Sequence, residues 1–366
     1  MPKVQTRARL AFALVVLTLA PASAVGQRTS PAAQAVDEAV LQEMREQNIV
    51  GAAIGIIRNS EIVYAQGYGF ANLEAQAPVT DNTVFNWASN SKPIMAVAAL
   101  QLVERGQLDI DQSITAYLPD LPEHLQPVTT RHLLCHQSGI PHYSNGRIVR
   151  SGERVDPLDE IDPLNSLHRF IKSPLIFEPG ARTEYSSYAY VLLSAVVQAA
   201  GKQPIERQLL TRIGRPLRLS SFQLDMPTGN QRNWTTAYKV TDGTPKEVKD
   251  YAHFWKHGAG GYKSNVKDFA RFALALMQGE LLSGETSAAM WTPQVRSDGS
   301  PSGYGLGVAV SGRGKDLKVS HNGSQDETRT RMVVYPPQRH GVVVMCNTQG
   351  CDPNRISTAV YSAMRN

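Results

Sequence analysis

The chain has 366 residues, of which 42% are hydrophobic and 19% are charged, so it is long and apolar enough to bury a large core. This balance excludes a disordered chain, and no repeat of the collagen type is present in the sequence. The formal net charge of +5 is too small to indicate nucleic acid or an anionic membrane surface as a partner.

Residues 1–24 have the pattern of a secretory signal peptide. Lys3, Arg7 and Arg9 precede an apolar stretch at 10–20, and the small residues ASA follow at 22–24. The apolar stretch is shorter than the about 20 residues that span a membrane, so we expect no transmembrane anchor after cleavage. Removal of the three cations leaves a net charge of +2. The sequence therefore predicts a secreted or periplasmic protein.

Hydrophobic periodicity predicts strands near both ends of the chain and helices between them. After a leader at 25–34, a hairpin is predicted from 51–57 and 61–68, with its turn at Asn59-Ser60. Further strands are predicted at 304–310, 328–335 and 341–346, and helices at 36–47, 93–104, 131–135, 164–171, 188–200, 266–277 and 354–364.

These elements predict one α+β domain at 35–366. Its sheet is assembled from about 50–70 and 303–347, and a helical insertion lies at about 90–280. Residues 225–258 have no period and are rich in Trp, Tyr, Lys and Asp, which indicates a long surface excursion; long loops are often functional.

The three cysteines do not form a disulfide framework. Cys346 and Cys351 are close enough in sequence to pair in an oxidising compartment, which leaves Cys135 free. For Cys135, the role of a small buried hydrophobe is favoured over that of a thiol nucleophile.

The strongest chemical signal is Ser89 followed three residues later by Lys92. At this spacing the two side chains share one face of a helix, where an amine can accept the hydroxyl proton. Lys92 is the only charged residue from 84 to 103. Burial in such an apolar helix lowers the pKa of a lysine, as a proton acceptor near neutral pH requires. A helix N-cap is the structural alternative for Ser89, but it does not explain a buried lysine.

Ser264 and Lys267 repeat the spacing in a different context. Asp268 and Arg271 follow Lys267 on an amphipathic helix, so we expect a solvated lysine there and an N-cap role for Ser264. The spacing alone therefore does not define the nucleophile.

The Ser-x-x-Lys pair is followed by GQLDID at 106–111 and YLP at 117–119, and this order resembles the serine β-lactamase and penicillin-binding protein superfamily. The similarity is to its class C-like branch, which includes D-alanyl-D-alanine carboxypeptidases and esterases. Three further segments match in order: RHLLCHQSGIP at 131–141, FEPG at 177–180 with YSS at 185–187, and HNG at 321–323. The resemblance implies a β-lactamase/transpeptidase-like fold with an antiparallel sheet flanked by helices.

The resemblance also implies roles for individual residues. Ser89 would be the acylated nucleophile, Lys92 its proton partner, and Tyr185 the hydroxyl that shuttles protons, with its pKa lowered by the field of Lys92. His321 would supply a cationic or hydrogen-bonding group at the sheet edge. The remaining predicted substrate-binding and oxyanion-hole residues are Ser187, Asn322, Gly323 and Ser324, with the backbone N–H groups of Ser89 and Ser324 forming the oxyanion hole.

Three departures from the family pattern bear on the substrate. Ser187 stands where an asparagine is usual, which favours esters over amides, and His321 replaces the lysine common in β-lactamases. Asp326 and Glu327 follow the third motif, so we expect negative charge at the pocket edge and poor acceptance of an anionic substrate.

Competing types of site receive little support. His132, Cys135, His136 and His142 are close in sequence and suggest a zinc site, but no His-Glu-x-x-His or paired Cys-x-x-Cys motif accompanies them. The sequence contains no Gly-x-Ser-x-Gly elbow, P-loop or dinucleotide fingerprint. We therefore expect neither a metal nor another cofactor.

The sequence as a whole predicts an exported serine hydrolase that forms an acyl-enzyme on Ser89, with an ester or a D-amino-acid peptide as substrate. A β-lactam is the alternative substrate. A catalytically idle fold that binds cell-wall peptide or another partner is the alternative of a different class.

Overall fold

The computed structural model describes residues 30–227, 233–249 and 251–364. The predicted signal peptide lies outside these residues. The described α-helices are α1 (Pro31–Glu46), α2 (Ser91–Glu104), α3 (Thr130–Leu134), α4 (Pro163–Ser166), α5 (Ser187–Gly201), α6 (Ile205–Leu209), α7 (Val266–Gln278), α8 (Gly284–Met290) and α9 (Pro353–Ala363). The described strands are β1 (Gly51–Arg58), β2 (Glu61–Asn72), β3 (Ala77–Pro78), β4 (Val84–Asn86), β5 (Gln223–Leu224), β6 (Ala237–Thr241), β7 (Thr244–Val248), β8 (Tyr262–Asn265), β9 (Ala309–Ser311), β10 (Lys318–Gln325), β11 (Thr328–Tyr335) and β12 (His340–Cys346).

A large antiparallel sheet joins both ends of the chain, as the sequence predicts. Its strand order is β3-β2-β1-β12-β11-β10-β9, and β1 pairs with β12 from Ala52↔Cys346 to Arg58↔His340. The β1–β2 hairpin is confirmed: Asn59 and Ser60 both have positive φ, the backbone conformation of a tight hairpin turn.

Alternate residues of the central strands enter two separate cores. Ile54 and Ile56 of β1 pack with residues of α1 and α9 on one face of the sheet. Ala53 and Ile57 pack on the other face with α2, α5 and α7. This alternation follows from the two-residue period of a strand, and helices cover both faces.

The structure corrects several predicted elements. Strand β10 was not predicted, whereas the strand predicted at 304–310 forms only at Ala309–Ser311. Helix α1 begins at Pro31, capped by Ser30, rather than at residue 36. The insertion is not purely helical, because it contains a small sheet of order β4-β8-β5 and the β6–β7 hairpin. None of the described helices combines the length and apolar character needed to cross a bilayer.

The expected capping role of Ser264 is wrong. Asn265 caps α7 by accepting from the Asp268 N–H, while Ser264 lies in β8 and is buried. Its Oγ accepts a hydrogen bond of 2.7 Å from the indole N–H of Trp87. Lys267 is solvated as expected and pairs with Asp81 at 3.0 Å.

Candidate active site

Ser89 lies in a 3-10 turn, Ala88–Asn90, between β4 and α2. Ala88 adopts φ +47°, a conformation that is rare for residues other than glycine. The Asn86 Oδ1 atom accepts from the Ala88 N–H at 2.5 Å and holds the backbone in this conformation. The sharp turn leaves Ser89 half-buried at the end of an otherwise buried segment.

Lys92, in the first turn of α2, is the most deeply buried charged group near Ser89, with 0% of its surface exposed. Its Nζ lies 3.0 Å from Ser89 Oγ, 3.2 Å from Ser187 Oγ and 2.7 Å from the carbonyl oxygen of Ala259. Among the described residues, no ion pair includes Lys92.

Burial lowers the pKa of Lys92 well below its ordinary value, and the charge of Lys256 lowers it further. A neutral Lys92 has two N–H groups and one lone pair. The two N–H groups match the Ala259 carbonyl and the Ser187 hydroxyl, which leaves the lone pair for the proton of Ser89. The geometry therefore suits a lysine that accepts the hydroxyl proton.

Tyr185 faces the same pair of residues. Its ring centroid lies 4.8 Å from Lys92 Nζ, and its hydroxyl interacts with the Ser89 and Ser187 side chains. Although 37% of the residue is exposed, its hydroxyl points to the interior, where burial raises its pKa above the ordinary value. The expected lowering of this pKa by Lys92 is therefore wrong for the resting site, because a neutral lysine exerts no such field.

The segment that resembles the family loop after the nucleophile helix holds these residues in place. His136 Nδ1 accepts from the Ser186 N–H, and His142 Nδ1 accepts from the Ser187 N–H, each at 3.2 Å. The histidines that suggested a zinc site thus act as backbone acceptors. Burial raises the pKa of Cys135 to about 12, which disfavours it as a nucleophile.

Strand β10 brings the third motif against the serine turn. Strand β9 pairs with β10 only from Lys318 to Ser320, so the rest of β10 borders the cavity. A Cβ on Gly323 would lie 2.5 Å from the Trp87 carbonyl oxygen, so only glycine permits this approach. The close approach places Ser324 and Ser89 in the same cavity, as an oxyanion hole between their N–H groups requires.

Asn90 links the serine turn to the same strand. In the amide orientation that satisfies its neighbours, its nitrogen donates to the His321 carbonyl at 3.1 Å and its oxygen accepts from the Gly323 N–H at 3.3 Å. The nucleophile turn and the β10 edge are therefore held in register by one buried side chain.

His321 lies in the cavity, but both of its ring nitrogens already have partners. Nδ1 donates to the Asn322 carbonyl at 2.7 Å, so Nε2 accepts from the Tyr304 hydroxyl at 2.9 Å. Burial lowers the pKa of His321 well below its ordinary value. Of the two predicted alternatives, the neutral hydrogen-bonding group fits the structure and the cation does not.

Asn322 contributes to the site differently from the sequence prediction. Its side chain accepts from Arg331 at 2.7 Å and contacts Asn354 of α9 at 3.3 Å. Its amide group is therefore held by the sheet and α9, while the residue itself lies on the cavity rim.

The turn Phe254–Ala259 supplies two groups that sequence reasoning missed. Ala259 provides the carbonyl that binds Lys92, and Lys256 lines the cavity. Lys256 belongs to the region that was predicted as a surface excursion, and Ala259 directly follows that region, so the excursion leads into the site. The only sequence signal for this was its unusual length.

Glu327 does not give the cavity the predicted negative edge. It is buried, and its Oε2 lies 3.1 Å from His253 Nε2. Burial alone would raise the pKa of Glu327, but the hydrogen bond and charge of His253 lower it. The charged residues among the described cavity lining are instead the cations Lys256 and Arg331.

The residues described above enclose a cavity of about 530 Å³. Its described lining residues are Ser89, His142, Tyr143, Tyr185, Ser187, Lys256, Ala259, Tyr304, Ala309, Ser320, His321, Asn322, Gly323, Ser324, Gln325 and Arg331. All eight residues predicted for the site therefore lie in or directly beneath this cavity, although their catalytic roles stay predictions.

Comparison with known proteins agrees with this architecture. The family model described as Beta-lactamase matches residues 36–363, so the chain belongs to the Beta-lactamase family. The solved structure of EstCE1, described as a hydrolase with promiscuous acyltransferase activity, superimposes with a TM-score of 0.77 at 22% identity and covers 92% of this chain and 99% of that one. The predicted fold is confirmed.

Two curated relatives are similar in sequence. Esterase EstB of Burkholderia gladioli is 36% identical over 186 residues, which are 48% of this chain and 47% of the esterase. Penicillin-binding protein 4* of Bacillus subtilis (strain 168) is 26% identical over 327 residues, which are 85% of this chain and 71% of that protein. The chain thus spans about half the length of the esterase that it matches.

Proposed function

We propose that this chain is an exported serine hydrolase that forms an acyl-enzyme on Ser89 and acts on an ester or a D-amino-acid peptide. The observation that carries the proposal is the buried Lys92 amine 3.0 Å from Ser89 Oγ. The name of the relative esterase EstB and the membership of the Beta-lactamase family support an acyl-transfer reaction.

The geometry suggests how the first half-reaction proceeds. Neutral Lys92 accepts the Ser89 proton as Oγ attacks the substrate carbonyl carbon, and the N–H groups of Ser89 and Ser324 stabilise the oxyanion. Lys92 is then a cation beside Tyr185 and favours loss of the phenolic proton. Tyr185 can therefore protonate the leaving group when the tetrahedral intermediate collapses to the acyl-enzyme.

The second half-reaction reverses these proton movements. Tyr185, now deprotonated, accepts a proton from a water molecule that attacks the acyl carbonyl, and Ser89 regains its proton from Lys92 as the ester bond breaks. A raised pKa makes the Tyr185 phenolate a strong base, so the same shift that favours the resting phenol assists deacylation.

Covalent labelling tests the proposal directly. A fluorophosphonate and a fluorescent penicillin are incubated with the protein, and intact mass and peptide mapping locate any adduct. The proposal predicts a fluorophosphonate adduct on Ser89. Turnover of the penicillin would favour the β-lactam alternative, and labelling by neither reagent would favour the binding module.

Ser187 is expected to direct the enzyme toward esters, because its short hydroxyl replaces an amide side chain. Ser187→Asn should raise kcat/KM for an amide or β-lactam relative to that for a p-nitrophenyl ester. Both rates are measured on the same preparation. An unchanged ratio would show that residue 187 does not set this preference.

Export rests on the N-terminal sequence and is supported by the Cys346–Cys351 disulfide, since disulfides persist in oxidising compartments. Mass spectrometry of protein recovered outside the cytoplasm should find a start at Val25, or at Gln27 if cleavage follows Gly26. An intact Met1 on that protein would contradict the signal prediction.

A further inference from the structure

Lys256 is a cation of the cavity to which the proposed reaction gives no role. It lies in the turn that supplies Ala259, is half-buried, and has its Nζ 5.8 Å from the Tyr143 ring centroid and 5.6 Å from that of Trp255. Its side chain therefore lies against aromatic surface and lines the cavity.

The ammonium group of Lys256 is held by a neutral partner. Nζ donates to Gln325 Oε1 at 2.5 Å, and no ion pair among the described residues includes Lys256. Since an ammonium group has three N–H donors, two remain for a ligand. The nearby carboxylate of Glu327 is bound by His253 instead.

Gln325 is fixed so that its oxygen faces Lys256. Its Nε2 donates to Asn86 Oδ1 at 2.8 Å, to the Gly260 carbonyl at 3.1 Å and to Glu327 Oε1 at 3.0 Å. These bonds tie the position of Lys256 to the Asn86 side chain that shapes the serine turn. The cation is thus part of the built site and not a freely moving surface lysine.

The position of Lys256 also indicates which part of a substrate it faces. The leaving group must lie near Tyr185, whose ring neighbours His136 and His321 at 4.3 Å and 6.4 Å. Along β10, His321 comes first, the proposed oxyanion residue Ser324 follows it, and Gln325 is the last residue of the strand. Lys256 contacts Gln325, so it lies on the side of Ser324 away from His321. The acyl part of a substrate would therefore extend toward Lys256.

We infer that Lys256, positioned by Gln325, binds a negatively charged group in the acyl part of the substrate, such as the distal carboxylate of a dicarboxylic acid monoester. This inference rests on the proposed serine hydrolase function and names its substrate class. It replaces the expectation that the cavity disfavours anions.

The ionisation of Lys256 supports this assignment near neutral pH. Burial lowers its pKa to about 8, while Glu327, Asp326 and Asp225 oppose this shift and Arg169 adds to it. The positive charge is accordingly present at pH 7 and is lost as the pH rises above about 8. Selectivity for an anionic acyl group should fall over the same range.

The test compares the p-nitrophenyl monoester of adipic acid with p-nitrophenyl hexanoate, which has the same acyl chain length without the carboxylate. The wild type should have the higher kcat/KM for the adipate monoester at pH 7. Lys256→Met should reduce the ratio of the two constants roughly tenfold, the effect of one desolvated charge pair. Lys256→Arg should retain the preference, and Lys267→Met, a change of an exposed lysine, serves as the matched control.

A ratio that Lys256→Met leaves unchanged, or a wild type without the preference, would overturn the inference. So would a Lys256-dependent preference for 4-carboxyphenyl hexanoate over phenyl hexanoate, which places the anion in the leaving group. If Lys256→Met does not fold, the ratio of kcat/KM for the two p-nitrophenyl esters is measured for the wild type between pH 6.5 and pH 9. A ratio that does not change with pH would contradict binding of the carboxylate by a lysine that titrates in this range. Failure of the wild type to hydrolyse either ester through Ser89 would instead refute the proposed function.

Discussion

Ser89→Ala should abolish acyl-enzyme formation and leave the melting temperature close to that of the wild type. The change removes the attacking oxygen, so kcat/KM for a p-nitrophenyl ester should fall by about 10⁴-fold or more. It removes only one half-buried hydroxyl, so the fold should survive. Intact mass after incubation with a slow ester or a penicillin, together with thermal melts, measures both effects.

Ser264→Ala is the matched control, because the same substitution is made in the pair with identical spacing. It should retain the adduct but lose about 1–3 kcal/mol of unfolding free energy, since the buried Trp87 N–H loses its acceptor. If the adduct still forms on Ser89→Ala, or is lost only on Ser264→Ala, then Ser89 is not the nucleophile.

Lys92→Met should also prevent acylation, because the Tyr185 hydroxyl, which also contacts Ser89, is a neutral phenol with a raised pKa and is therefore a poor proton acceptor. We expect a fall in kcat/KM of about 10³-fold or more, with methionine filling the volume of the lysine stem. Lys267→Met, which removes an exposed lysine, should leave the adduct unchanged. Formation of the adduct at the wild-type rate in Lys92→Met would contradict the assigned base.

The stability of Lys92→Met should depend on pH in a defined direction. Because the pKa of Lys92 is lowered on folding, the unfolded chain binds the extra proton between this lowered value and about 10.4. Wild-type stability therefore rises with pH across that window, and the stability of the variant lacks this contribution. Any advantage of Lys92→Met in melting temperature should be largest near pH 7 and shrink toward pH 10; a constant difference would contradict the lowered pKa.

Local patterns were sufficient to predict much of the framework. The apolar run of α2 around Lys92 identified a buried lysine, and Asn59-Ser60 marked a turn whose residues adopt positive φ. The order of the motifs predicted that residues 89, 185 and 321 meet. These features depend on neighbours in sequence or on a resemblance that covers the whole chain.

Features that depend on long-range contacts could not be predicted. The part of β10 that β9 does not cover borders the cavity and carries polar residues. Strand β10 therefore lacks the apolar pattern by which a buried strand is predicted. The segment at 304–310 is apolar but folds back on itself, with Gly307 at φ +90° and Tyr304 bridged to Ala309. The sequence wrongly predicted negative charge from Glu327 at the cavity edge, because its partner His253 is distant in sequence.

The pairing of Ala52 with Cys346 has a consequence for the time course of folding. Strand β1 reaches its central partner only after almost all of the intervening chain has been synthesised. Until then the β1–β2 hairpin has one unpaired edge, and the apolar side of α1 lacks α9 to pack against. Contacts of such large sequence separation form slowly. The chain should therefore stay without its complete sheet throughout synthesis, and the sheet should close only once β12 has been synthesised.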